Sequence, residues 1–211
     1  MKTENLIEAL VADRASGKSS IPGALAAAFA LGGLISLALF CVVLGVREDI
    51  TQALATWRFD LKIGLVLLAL GSAFSLCMAV SRPVPSGRPA RRLLPLGALA
   101  AMAVAIELTA LPGASWGTRL VGSNSLICLT SIPMLAIAPL AAVLMVLRAG
   151  APASPALAGA AAGLLAAAGG ATLYGFHCFD DSPLFVVTWY VLAAIPVVVL
   201  GTIAGHRLLR W

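Results

Sequence analysis

Six long apolar runs, each closed by a charged or proline-rich break, constrain this chain more than any other feature. They are Ala24–Val46, Leu61–Val80, Leu93–Leu111, Leu126–Leu147, Pro155–Phe176 and Leu184–Ile203. A helix rises about 1.5 Å per residue, so about 20 residues cross a hydrocarbon core roughly 30 Å thick. With 61% hydrophobic residues, 11% charged residues and a mean hydropathy of +1.01, 211 residues cannot hide their apolar surface from water, and the solvent is lipid. The predicted fold is all-α: a polytopic membrane protein built as a bundle of six transmembrane helices over residues 21–211. Residues 1–20 mix acids, bases and hydroxyls before the first run and read as a cytoplasmic amphipathic segment, not as a cleavable signal.

Lysine and arginine set the orientation. Lys2, Arg14, Lys18, Arg82, Arg88, Arg91, Arg92, Arg148, Arg207 and Arg210 fall on one side of six crossings; Arg47, Arg58, Lys62 and Arg119 fall on the other. Ten against four predicts both termini in the cytoplasm, with the first, third and fifth connections outside. The net charge of +5 is absorbed by this rule, so the bilayer and not nucleic acid is the expected contact.

The fifth connection, His177-Cys178-Phe179-Asp180-Asp181-Ser182-Pro183, is too short for a domain yet crowded with ionisable groups. Polar groups beside a membrane are costly unless they find partners or act. Cys128, just inside the fourth run, falls at the same outer surface as Cys178. An oxidising compartment allows the two to act as a redox pair. His177 favours a thiolate and Asp180 and Asp181 oppose it. The plainer alternative is that both thiols are small apolar fillers. A soft-metal site would use the same residue types, but neighbouring residues 177 and 178 rarely reach one ion, so neither a metal nor a cofactor is expected. Cys41 lies about a turn deeper on the outer side and Cys77 near the inner end of the second run.

Glu107 is the one acid within an apolar run, a candidate either for ion coupling or for a hydrogen bond to Trp116 or a loop amide. Lys62 is expected to snorkel to the interface or to pair with Asp60. Gly159-x-x-x-Gly163 and Gly201-x-x-x-Gly205 fit close helix packing, and Pro133, Pro139 and Pro196 fit kinks. In the first segment Leu6, Ile7, Leu10 and Val11 share one helical stripe, with Glu4, Glu8 and Asp13 off it. Such a stripe suits a partner's groove, the bilayer surface or the underside of the bundle.

SIPMLAIAPL from Ser131, LRAGAPASPALAGAAAGLLAA from Leu147, YGFHCFDDSPLFVVTWY from Tyr174 and GHRLLRW from Gly205 together resemble the NrsF family of six-span bacterial membrane proteins. MKTENLIEALVAD at the start is similar as well. The likeness is dense over residues 120–211 and thinner over the first three runs. It implies an anti-sigma factor that holds an extracytoplasmic-function sigma factor of the SigF type at the membrane. It also implies release upon envelope stress from oxidants or heavy metals. The resemblance makes Cys128 and Cys178 the signature cysteines of signal perception, within the motif that holds His177, Asp180 and Asp181, and leaves Cys41 and Cys77 outside the signature. Sigma binding would fall chiefly to the N-terminal segment with Leu6, Ile7, Leu10 and Val11. The role is regulatory and not enzymatic. A small transporter or channel using Glu107 is the first rival; a membrane thiol oxidoreductase, for which no CxxC pair is present, is the second.

Overall fold

The computed structural model describes residues 21–82, 88–150 and 152–210; the stripe of Leu6, Ile7, Leu10 and Val11 lies outside them. Eight helices follow in order: α1 Ile21–Val43, α2 Ile50–Ala53, α3 Trp57–Val80, α4 Leu94–Ala110 extended at its start by the 3-10 turn Pro89–Leu93, α5 Trp116–Val121 after the 3-10 turn Gly113–Ser115, α6 Ser125–Ala149, α7 Pro155–Gly175 and α8 Pro183–Leu208. No strand occurs among the described residues. Six helices (α1, α3, α4, α6, α7 and α8) are long and apolar enough to cross a membrane. These are the six runs of the sequence. The short α2 and α5, within the first and third connections, left no apolar signature.

The ends shift for identifiable reasons. α1 stops at Val43, short of Val46, because Leu44 and Gly45 both donate their N–H to the Phe40 carbonyl and Gly45 takes φ +70°, a left-handed closure that glycine makes cheaply. α3 starts a full turn before Leu61: Thr56 is its N-cap, its hydroxyl accepts from the Phe59 N–H, and Asp60 in the first turn complements the helix dipole. Trp57–Asp60, expected as loop, is therefore helix, and Lys62 sits deeper in the bundle than its sequence position implies. α8 carries one π-helical turn, Val186–Tyr190, and runs on through His206 and Arg207, past Ile203.

α7 is the central span, with 61% of its hydrophobic stretch buried; α4, at 11%, is the most peripheral. The difference follows from composition, because α7 is almost entirely Ala, Gly and Leu and its small side chains let neighbouring backbones approach. The two GxxxG motifs meet each other. A Cβ on Gly201 would fall 2.5 Å from the Gly159 carbonyl oxygen, one on Gly205 2.6 Å from the Gly159 Cα, and one on Gly163 2.7 Å from the Val197 carbonyl oxygen. In the same way Gly32 of α1 lies against the backbone of Pro139 in α6, and Gly170 of α7 against the Ile132 carbonyl. Ser36 adds a hydrogen bond of 2.6 Å from α1 to the Leu135 carbonyl of α6, which the missing N–H of Pro139 leaves without its helical donor. Close packing of small residues joins these helices.

The connections after α1, α4 and α7 gather at one end of the bundle, where Arg47 bonds Asp181 and Asn124 bonds Asp180. At the opposite end Gly150 lies beside the Ser81 carbonyl and Gly205 beside that of Pro155. The structure thus brings Cys128 and Cys178 to the same end, as the count of crossings required.

Candidate functional site

The α7–α8 connection is built from residues that each find a partner on a different helix. The turn starts when Phe176, His177 and Cys178 return their N–H groups to the carbonyls of Leu173 and Tyr174, and it ends where Pro183 opens α8. Between these points the backbone carbonyl of Cys178 accepts from Lys62 Nζ of α3 at 2.8 Å and from Arg47 Nη1 at 3.1 Å. Asp181 accepts from the same two cations: its carboxylate lies 2.9 Å from Arg47 Nη1 and forms an ion pair with Lys62.

Lys62 is 1% exposed. It neither snorkels nor pairs with Asp60, because the early start of α3 turns it inward, under Asp181. An unpaired ammonium at that depth would cost several kcal/mol; the Asp181 carboxylate, the Cys178 carbonyl and the Phe59 ring 5.1 Å away offset that cost. Arg47, also buried, forms a two-pronged bond to Asp49 at 2.6 and 2.7 Å and lies over the Phe179 ring at 4.9 Å. Asp49 and then Asp181 hold the Arg47 guanidinium well above its ordinary pKa, and Arg47 in turn holds Asp49 below the usual carboxylate range.

Asp180 reaches the other way. Its Oδ2 accepts from the backbone N–H of Ser123 at 3.0 Å and of Asn124 at 2.9 Å, and from the Asn124 side chain at 3.1 Å. These are the residues that lead into α6, so Asp180 occupies the electropositive entrance of the helix that carries Cys128. Glu107, 2% exposed near the end of α4, accepts from Ser182 Oγ at 2.8 Å and from the Leu184 N–H at 2.9 Å. It caps α8 through this N–H of the helix's first turn, and not through a loop amide. Trp116, the other expected partner, donates to the Leu111 carbonyl. His177 Nδ1 donates to the Gly45 carbonyl at 3.0 Å, and the Arg47 N–H bonds the Phe176 carbonyl at 3.0 Å. Residues 176–184 therefore tie together α1, α3, α4, α6, α7 and α8.

Cys128 and Cys178 lie beneath this clasp. Both are wholly buried free thiols in one apolar cluster with Tyr174, Phe185 and Tyr190. Burial pushes the Cys178 thiol above its usual range, while Lys62 pulls the opposite way. The cation that favours the thiolate is Lys62, not His177, whose ring is committed to Gly45. Tyr174 Oη donates to the Asn124 carbonyl, and the Tyr190 hydroxyl, presented by the π-helical turn, is buried beside the thiols with no hydrogen-bond partner among the described residues. Cys77 is buried in a separate cluster toward the other end, and Cys41 is exposed on the flank of α1.

Of the expected residues, Cys128, Cys178, His177, Asp180 and Asp181 all come to one end. Arg47, Lys62, Asn124, Tyr174 and Tyr190 complete the site and had not been singled out as part of it. A usable signal existed only for Arg47 and Lys62, basic residues on the side where six acids (Glu48, Asp49, Asp60, Glu107, Asp180 and Asp181) also fall. Among the described residues no group of three or more His, Cys, Asp or Glu is arranged to hold a metal ion.

Comparison with known proteins gives a consistent picture. A family model described as negative regulator of sigma F matches residues 10–211. A protein named anti-sigma-F factor NrsF, from Caulobacter vibrioides, is 35% identical over 224 residues, covering 100% of both chains. A probable anti-sigma-F factor NrsF from Azospira oryzae is 35% identical over 217 residues, again with 100% of each covered. No solved structure matches the chain.

Proposed function

The chain belongs to the NrsF family of negative regulators of sigma F, and we propose that it is an inner-membrane anti-sigma factor whose thiol pair switches its hold on an extracytoplasmic-function sigma factor. Both termini face the cytoplasm in this reading, and the clasp faces the periplasm. The sigma factor is captured by the N-terminal segment, with Leu6, Ile7, Leu10 and Val11 as its apolar stripe. Cys128 and Cys178 perceive the signal, and His177, Asp180 and Asp181 transmit it.

One observation carries the proposal: the loop that holds Cys178 bonds to residues on or beside every one of the six long helices. Oxidation by a peroxide would join the two sulfurs, release their two protons and pass two electrons to the peroxide, which becomes water. The new bond ties Cys178 covalently to α6 and draws its loop toward that helix. Asp181 moves with it, away from Arg47 and Lys62. Packed interiors respond to such shifts in discrete steps, and coupling of about 1–3 kcal/mol to the far end changes sigma occupancy about 5- to 150-fold. A thiophilic metal ion bridging the pair would act on the same loop.

Transcription from a sigma-dependent promoter tests this. The Cys128→Ser, Cys178→Ser variant is expected to repress normally in unstressed cells and to stay repressed upon exposure to peroxide. Full induction in that variant would remove the thiols from the mechanism.

A further inference from the structure

At the end of the bundle away from the thiols, charge and shape combine in a way the anti-sigma reading does not use. Arg148 at the end of α6 and Arg207 and Arg210 at the end of α8 line a cleft of about 200 Å³ with Leu208. The six acidic side chains of the described residues lie at the opposite end, so among the described residues no acidic side chain neutralises these arginines, and Arg210 contacts the His206 ring at 3.1 Å. Three guanidinium groups around a space of that size form a fork-shaped set of donors suited to a phosphate.

The same pair of helices opens a second cleft nearer the middle of the bundle. Pro133, Ile137 and Leu140 of α6 and Pro196, Val197 and Leu200 of α8 line about 180 Å³ of almost purely apolar space. The prolines interrupt the helical hydrogen bonds along both walls of this cleft. Ile137 and Leu200 are 62% and 54% exposed, so this groove opens outward, toward the surroundings of the bundle. Leu200 precedes Arg207 by two helical turns, about 10 Å along α8, and Leu140 precedes Arg148 by a similar rise on α6. Met145 and Ile203, exposed between them, continue the apolar surface.

We infer that the α6–α8 seam is a binding site for an anionic phospholipid, with its phosphate between Arg148, Arg207 and Arg210 and an acyl chain in the Pro133–Leu200 groove. A phosphate alone would need only the arginines; the apolar groove on the same seam commits the site to a lipid. Basic pockets between spans at the membrane surface bind anionic headgroups by the same attraction. The inference rests on the six-span arrangement and not on sigma capture, so each can fail without the other.

The test uses the full chain, purified in a neutral detergent, with phosphatidylglycerol, phosphatidylcholine and inorganic phosphate as separate probes and both bound lipid and melting temperature as readouts. Phosphatidylglycerol is expected to bind and to raise the melting temperature, and phosphatidylcholine and inorganic phosphate at the same concentration to do neither. The Arg148→Gln, Arg207→Gln, Arg210→Gln variant is expected to need about tenfold more phosphatidylglycerol or beyond. Leu200→Trp, which fills the groove and leaves the arginines in place, is expected to weaken binding as well. Equal binding of the two lipids, binding of inorganic phosphate as strong as that of phosphatidylglycerol, or undiminished phosphatidylglycerol binding by the triple variant would each overturn the site. Loss of sigma capture in a triple variant that still binds lipid would assign the arginines to the protein partner instead.

Discussion

Lys62 and Asp181 form an ion pair whose ammonium side is fully buried while the carboxylate keeps 16% of its side chain exposed. The ammonium is held wholly inside, while the carboxylate keeps a wet edge on the loop. Arg47 shares the carboxylate, so Asp181 contacts two buried cations at once, and Asp49 supplies the second negative charge.

Removing Asp181 is therefore expected to harm the fold more than removing Lys62. Asp181→Asn leaves Lys62 and Arg47 facing each other with only Asp49 and the Cys178 carbonyl near, and breaking a buried pair from one side costs about 3–5 kcal/mol. Lys62→Met keeps the Arg47–Asp181 bond and is expected to cost about half as much. Thermal unfolding in detergent ranks the two; a wild-type melting temperature for Asp181→Asn would contradict the clasp.

The thiols should be slow to react at neutral pH. Cys178 is buried and its pKa is raised, so little thiolate is present and little of it is reachable. Iodoacetamide is expected to leave Cys128 and Cys178 unmodified in the native protein at pH 7 and to label all four cysteines in sodium dodecyl sulfate. The sign of the linkage is that of a raised pKa: the contribution of Cys178 to stability is intact below the unfolded value, about 8.5, and is lost as pH rises through the higher folded value. Melting temperature should accordingly fall above about pH 9, and less so in Cys178→Ser.

Gly159 and Gly201 are expected to tolerate no side chain. A Cβ on Gly201 meets the Gly159 carbonyl oxygen at 2.5 Å, so Gly201→Ala forces α7 and α8 apart, at about 1–3 kcal/mol. Gly71→Ala in α3 is the control. Nothing lies within 4 Å of its added Cβ, and alanine's better helix propensity is expected to leave stability unchanged or raise it by up to about 1 kcal/mol.

Glu107 is expected to matter for folding and not for ion movement. Glu107→Ala strands Ser182 Oγ and the Leu184 N–H at the start of α8 and should cost about 1–3 kcal/mol. Proteoliposomes carrying the wild-type protein should show no cation flux; flux that vanishes in a folded Glu107→Gln variant would reinstate the transporter alternative.

How much of this was legible from the residues differs between the frame and the site. The six spans follow from long apolar runs because lipid demands them, and the shared end of Cys128 and Cys178 follows from counting crossings. The clasp itself was hidden by small local effects. Thr56 starts α3 a turn early, and that turn carries Lys62 from an expected interface position into the core. Glu107 was visible as an oddity, but its partner Ser182 is 75 positions away, and nothing in either neighbourhood pairs them. Tyr174 and Tyr190 sit in apolar runs where aromatic residues are ordinary. Only the π-helical turn, which no residue pattern announced, turns Tyr190 toward the thiols. The N-terminal stripe remains an expectation, outside the described residues.

The central claim is that the clasp end controls sigma capture at the other end. Full-length protein in membranes would be incubated with its sigma factor, washed, and exposed to peroxide, and the sigma factor remaining bound would be measured. Wild-type membranes are expected to hold the sigma factor and release most of it upon oxidation, with the Cys128–Cys178 disulfide appearing in parallel. The Cys128→Ser, Cys178→Ser variant is expected to hold it before and after. Release to the same extent from the double-serine variant, or retention by wild type after the disulfide has formed, would contradict the account.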